Sequence, residues 1–304
     1  MTPLAFVFIL VSAGLHATWH MLAKKSGASI AFYALIGSVG MLWSQGVHFF
    51  TPLRFFDMPS AFHLWLAGML ASELCYAFGL KASYRTLDMS VAYPIMRSLP
   101  LLFLAAVTAA FHLGKPLTPQ ALGGMAMVFM GCLVIPLRSF SDFRLARYFN
   151  RSFGYILIVA LGTTGYTLCD SQAQHAMRAA ADAAEIEIGK PLLSLTYYSF
   201  RAAALFATMW IAVACTRSWR GDAAELWHRR SWMPLFAGCC SSMTYVLVLV
   251  AMNFVSNVAY VQAFRQIGLV FGLVESVFIL KERCTAPKVI GVALILSGLA
   301  VSVL

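Results

Sequence analysis

VAYVQAFRQIGLVFGLVESVFILKER, residues 258–283, is an apolar stretch long enough to cross a bilayer, yet it carries an arginine, Arg265, and a glutamate, Glu275. A counterpart, VAYPIMRSLPLLF, begins at Val91 and carries Arg97. With one extra residue in the second copy, segments 91–124 and 258–292 share Val-Ala-Tyr, an arginine (Arg97 and Arg265) and a phenylalanine (Phe103 and Phe271). A proline (Pro119 and Pro287) and a glycine (Gly123 and Gly291) also coincide. The chain therefore reads as a duplicated half, with one cation inside an apolar segment of each copy.

Outward from this repeat, the composition specifies the solvent. The chain is 61% hydrophobic and 11% charged, with a mean hydropathy of +0.78, whereas a soluble domain carries about 25% charged residues. Ten apolar runs account for most of it: 2–22, 29–50, 61–80, 90–113, 119–137, 152–170, 191–215, 232–251, 256–280 and 284–304. Each approaches the ~20 residues a helix needs to cross ~30 Å of hydrocarbon. The first run is too long, and too poor in leading charge, for a cleaved signal peptide. It is expected to be a helix of the mature protein.

The net charge of +10 follows membrane topology rather than nucleic-acid binding. Loops after the odd-numbered runs hold fourteen Lys/Arg, and those after the even-numbered runs hold four, Arg54, Lys115, Arg178 and Lys190. Positive loops stay cytoplasmic, so both termini are expected on the other side. An odd number of helices per half turns the second copy over relative to the first. The sequence thus predicts an all-α integral membrane protein, ten transmembrane helices as two inverted five-helix repeats. The first repeat is 1–137, the basic linker 138–151 and the second repeat 152–304. A polar insert, 172–190, is expected to extend the sixth helix and add a short surface helix; a lid or docking element is the alternative.

Polar residues inside apolar runs are where function is sought, because hydrocarbon makes them unfavourable unless paired or wet. Arg97 and Arg265 each lie about 13 Å into their helix at 1.5 Å per residue. In inverted halves they approach the midplane from opposite faces. Two guanidinium forks suit a carboxylate, phosphate or phosphonate; the alternative is internal neutralisation by Glu73 or Glu275. Those glutamates are also candidates for proton coupling, since a low-dielectric site favours the neutral carboxyl. Arg201 has no counterpart in the first half. His16, Trp19 and His20 share one helix face. They are candidate substrate contacts, with Trp19 as a wall; no third ligand suggests a metal. Tyr166, with Asp170 four residues on, occupies the corresponding place in the sixth run. Tyr93, Tyr260 and Gln262 join the candidate substrate contacts. Tyr76 and Tyr245 are open to the same reading, or to plain packing.

The seven cysteines show no paired loop spacing and no CxxC, so neither a disulfide framework nor a zinc site is expected. Gly123, Gly124, Gly131, Gly268 and Gly272 read as close-packing positions between helices, or as a homodimer seam. No G-x-x-x-x-G-K-[ST] loop is present, and no acid–base constellation suggests an enzyme.

These features together resemble the EamA-type transporters of the drug/metabolite transporter superfamily. The residues that carry the resemblance are LHATWHMLAKKS (15–26), the stretch 258–283 with its Lys281-Glu282-Arg283 end, and the glycine-rich final helix of each half. Many relatives have an asparagine where this chain has His20, and the first copy has Gly114-Lys115 in place of the acidic end. The resemblance implies a secondary transporter of a small polar metabolite, often an exporter, working by alternating access without ATP or cofactor. The expected setting is a bacterial cytoplasmic membrane. The arginines lean the substrate toward anions and zwitterions; proton-coupled export of hydrophobic cations is the alternative.

Overall fold

The computed structural model describes residues 3–25, 29–86, 89–137, 139–142, 153–228, 232–278 and 284–303. All regular structure among them is helical. The chain runs through α1 (Pro3–Lys25), α2 (Ile30–Ser44), α3 (Ser60–Thr86), α4 (Met89–Ala110), α5 (Pro119–Val134) and α6 (Phe153–Ala183). It continues through α7 (Lys190–Cys215), α8 (Arg217–His228), α9 (Met233–Met252), α10 (Val258–Phe264), α11 (Ile267–Phe278) and α12 (Ala286–Val301). Five described segments are long and apolar enough to cross a membrane: Ile30–Phe49, Ser60–Leu80, Phe153–Ala183, Lys190–Cys215 and Met233–Met252. Shorter apolar helices occupy the remaining five runs.

Local chemistry sets the helix starts. Ser29 caps α2 by accepting from Phe32 N, and Thr118 caps α5 by accepting from Ala121 N, with Pro119 in the first turn. Thr285 and Pro287 occupy the matching positions at α12, where proline supplies a preset φ and lacks only a donor that has no helical partner. In the polar insert, α6 continues through Ala183, as expected. The additional surface helix does not form. Ile186 N returns to Ala181 O and Glu185 takes a left-handed φ of 55°, a closure that stops the helix. Arg178 Nη1 then holds Ile188 O at 2.7 Å. Helix α8, placed in a basic loop by the sequence reading, packs Leu226 against a core of Phe32, Ile36 and Ala237. Of the basic linker, only residues 139–142 are described; they contain a short 3-10 turn.

The chain divides into two compact units, each drawing on both sequence halves. The first comprises Met1–Leu10, Ala71–Cys169 and Phe254–Leu304. Its best-fitted seam joins α5 to α12 through reciprocal glycines. A Cβ on Gly124 would stand 2.5 Å from Gly298 O, and one on Gly298 would stand 2.6 Å from Gly124 O. Seven residues along, Gly131 would meet Gly291 O at 2.7 Å and Gly291 would meet Gly131 O at 2.9 Å. Residue numbers rise on one helix as they fall on the other, so the pair is antiparallel. The same unit fixes the loop after α4. Gly114, at φ 84°, lies against Ser256 O, Lys115 N donates to Ser256 O at 2.9 Å, and Asn257 Nδ2 donates to Lys115 O at 3.1 Å.

The second unit comprises Val11–Leu70 and Asp170–Asn253. Here α2 packs on α7 and α9, with Trp43 stacked on Tyr198 and donating to Ser242 Oγ at 3.0 Å.

The glycine seam yields a matched pair of substitutions. Gly124→Ala and Gly298→Ala each force a methyl against backbone and should destabilise by roughly 1–3 kcal/mol. Gly123→Ala, at an exposed position with nothing within 4 Å, should be neutral or stabilising by up to about 1 kcal/mol. Thermal unfolding in detergent checks the contrast; equal behaviour of Gly123→Ala and Gly124→Ala would remove the basis for this packing.

Candidate functional site

The two repeated arginines meet within the first unit, at an interruption in the helix that carries Arg265. The ninth apolar run, expected as one helix, is split: α10 ends at Phe264 and α11 begins at Ile267. In a regular helix Gln262 O would accept Gln266 N. Gln266 N turns instead to Ala263 O at 3.0 Å, and the Gln266 side-chain amide takes its place, donating to Gln262 O at 3.1 Å. One step on, Leu269 N bonds Gln266 O rather than Arg265 O. Arg265 O accepts from Gly268 N at 3.2 Å and from Arg97 Nη2 at 3.0 Å.

Helix α4 completes the exchange. Arg97 O accepts from Gln266 Nε2 at 2.9 Å and faces Gln262 Nε2 at 3.4 Å. Pro100, three residues on, has no N–H to give Met96 O. Each copy thus supplies side chains to the backbone of the other at its arginine. Arg265 is 8% exposed, and its guanidinium has no ion pair or hydrogen bond among the described residues. A buried guanidinium is unfavourable unless something neutralises it.

The second unit handles its arginine in the opposite way. Arg201 Nε lies 3.2 Å from Asp170 Oδ1, with Asp170 fully buried. Tyr197 donates to the same oxygen at 2.6 Å, Tyr245 donates to Oδ2, and the guanidinium carbon stands 4.0 Å over the Tyr245 ring. Asp170 lies on α6, Tyr197 and Arg201 on α7 and Tyr245 on α9, so one carboxylate binds three helices. One turn along α6, Gln174 Oε1 accepts from Ser194 Oγ and Asn253 Nδ2, each at 2.8 Å. Tyr245, read from sequence as a candidate lining residue, is committed to this network.

The remaining sequence candidates divide between the units. His16 and Trp19 belong to the second, where Trp19 Nε1 donates to His16 Nδ1 at 3.1 Å and Trp19 packs beside the Phe32–Ile36 core. Tyr166, Tyr260 and Glu73 belong to the first. Tyr166 is buried edge-on against Tyr76, with ring centroids 5.8 Å apart. Tyr260 and Glu73 are half-buried on α10 and α3. The side chains of His20, Tyr93 and Glu275 lie outside the described residues. Among the described residues no cluster of three His, Cys, Asp or Glu is arranged to hold a metal. Gln266 was not singled out from sequence, although its spacing of four from Gln262 beside Arg265 was there to read. The Asp170–Arg201 pair was not singled out either; its signal was an acid and a base in consecutive apolar runs.

Comparison with known proteins gives the fold. Twenty-nine chains of solved structures match. One, described as "Crystal structure of protein", superposes with a TM-score of 0.67, covering 98% of this chain and 96% of its own at 15% identity. At that identity the likeness shows a shared fold and no more. No protein-family profile matches the chain, and no curated protein sequence matches it.

The Asp170 network yields a sign test. Arg201→Met leaves a buried carboxylate without its cation and should destabilise by about 3–5 kcal/mol. Adding Asp170→Asn removes the stranded charge and should recover most of that loss. Thermal unfolding of the single and double variants measures the coupling. A double variant no more stable than Arg201→Met would show that the pair does not act as a unit.

Proposed function

We propose that this chain is a secondary active transporter of a small polar metabolite, anionic or zwitterionic, exporting it by alternating access without ATP. The observation that carries the reading is Arg265, a residue only 8% exposed whose guanidinium has no partner among the described residues, set at an interrupted helix beside Arg97. Broken helices with freed backbone groups are how transporters build substrate sites inside a bilayer. A carboxylate, phosphate or phosphonate supplies the charge that Arg265 lacks, through forked hydrogen bonds.

The fuller reading places ten transmembrane helices in two inverted five-helix repeats, 1–137 and 152–304, of the EamA type within the drug/metabolite transporter superfamily. Support comes from the duplicated segments, from the helices in all ten apolar runs and from the antiparallel pairing of the last helices, α5 and α12. Trp19, His16, His20, Tyr93, Tyr260, Gln262 and Tyr166 are proposed to contribute to the substrate path, with Glu73 and Glu275 coupling a proton. The proposed setting is a bacterial cytoplasmic membrane, as monomer or homodimer, with no enzymatic step and no cofactor.

A ligand that binds only the folded state raises apparent stability by mass action. Purified full-length protein should therefore be stabilised by members of a panel of small carboxylates, phosphates or phosphonates. Arg265→Gln should abolish the shift and Arg97→Gln should weaken it. In liposomes the same compounds should show saturable counterflow. Glu73→Gln should abolish pH-driven accumulation while sparing counterflow. Stabilisation by hydrophobic cations alone, unaffected by either arginine substitution, would overturn the anionic site.

A further inference from the structure

The arginine junction holds two acceptors as well as a cation. Gln262 and Gln266 are 4% and 0% exposed, and the Oε1 atom of each is buried without a hydrogen-bond donor among the described residues. Neither amide gains by turning over. Gln266 Nε2 already gives its two protons to Arg97 O and Gln262 O, at 2.9 and 3.1 Å, and Gln262 Nε2 faces Arg97 O at 3.4 Å. A flipped amide would set oxygen against carbonyl oxygen, so main-chain contacts fix which atom is the orphan. Buried acceptors left without donors are unfavourable and rare in folded proteins.

Gln262 lies on α10, and Arg265 and Gln266 form the break that follows it. Arg265 N still bonds Val261 O at 3.0 Å, and both glutamine amides turn to the same carbonyl, Arg97 O, so the three residues stay close together. A bare anion answers the Arg265 guanidinium but offers nothing to the two amide oxygens. A quaternary ammonium has charge but no N–H. A ligand with an acid group and an N–H-bearing ammonium answers both. The axial rise between Gln262 and Arg265 is about 4.5 Å at 1.5 Å per residue, a span that a compact ligand covers with its two charges a few bonds apart.

We propose that the substrate of this site is a compact zwitterion whose amine keeps its N–H donors, the acid held by Arg265 and the amine by the Oε1 atoms of Gln262 and Gln266. This rests on the reading of Arg265 as an anion-binding residue and narrows it. It makes Gln262 a specificity-determining residue.

The test uses purified full-length protein and two matched series of probes. One is β-alanine, its N,N,N-trimethyl derivative and propionate; the other is 2-aminoethylphosphonate, its N,N,N-trimethyl derivative and ethylphosphonate. Affinities come from ligand-dependent thermal shifts. In at least one series the free amine should bind about tenfold or more tighter than its two analogues, since each factor of ten is a modest free-energy difference. Gln262→Met, similar in length and lacking the acceptor, should bring the amine down to the level of the other two while leaving theirs unchanged. Gln262→Glu, a stronger acceptor, should widen the preference and serves if the methionine variant does not fold. Arg265→Gln should remove binding of all three probes. Equal binding of amine and amine-free acid, still dependent on Arg265, would overturn the zwitterion inference and leave the anion site standing. An equal loss for all probes in Gln262→Met would reduce Gln262 to a positioning residue and overturn its role in specificity. Binding indifferent to Arg265→Gln, or no binding in either series, would overturn both readings.

Discussion

A carbonyl released from its helix inside an apolar interior must be met by the protein's own donors, since a buried backbone group left unpaired is unfavourable. At Gln262 and Arg265 two such carbonyls are met, one by the side chain of Gln266 and one by Arg97 from the other copy. The same Gln266 amide bonds Arg97 O. These exchanges let the Arg265 helix break inside an apolar segment. They also bring the two arginines of the repeat together through backbone. The Arg265 guanidinium has no ion pair among the described residues, so its end of the junction keeps its positive charge.

The contrast with Arg201 gives that cationic character its meaning. Arg201 is held by Asp170, itself held by two tyrosine hydroxyls, and the charges cancel within a network spanning three helices. Breaking such an arrangement is unfavourable, whereas its net worth against apolar packing is small. It reads as a lock. The chain thus contains both treatments of a buried arginine, one neutralised and one left for something else to neutralise.

Much of this was legible before any coordinates. The apolar runs are long, and length needs no knowledge of neighbours; helices occur in all ten. The extension of the sixth helix into the polar insert followed from its alanine-rich composition, but its stop at Ala183 depends on a left-handed turn at Glu185 that composition does not encode. The break after Phe264 was illegible for another reason. VAYVQAFRQIG contains no proline, and the interruption is sustained by bonds to a helix more than 160 positions away. The Asp170–Arg201 pair was hidden likewise, because sequence shows that two apolar runs carry opposite charges but not which faces of those runs meet. Helix α8 lies in a short arginine-rich stretch that sequence alone gives no reason to read as packed, although Leu226 meets the core of Phe32, Ile36 and Ala237. Where glycines were read as close-packing residues, Gly124 and Gly131 fit the reading, while Gly123 and Gly272 face open space.

The Gly124–Gly298 and Gly131–Gly291 contacts bear on motion as well as packing. Backbone touches backbone at two levels, two helical turns apart, with larger side chains such as Met127 and Ile295 beside the points of contact. For α5 to slide along α12 by even one turn, those side chains would have to pass through gaps sized for a hydrogen atom. The pair can tilt or travel, but as one beam. Any rearrangement in this unit must therefore leave α5 and α12 in register and take up its strain elsewhere, in the chain that leads into Thr118 and Thr285 or at the already broken helix beside Arg265.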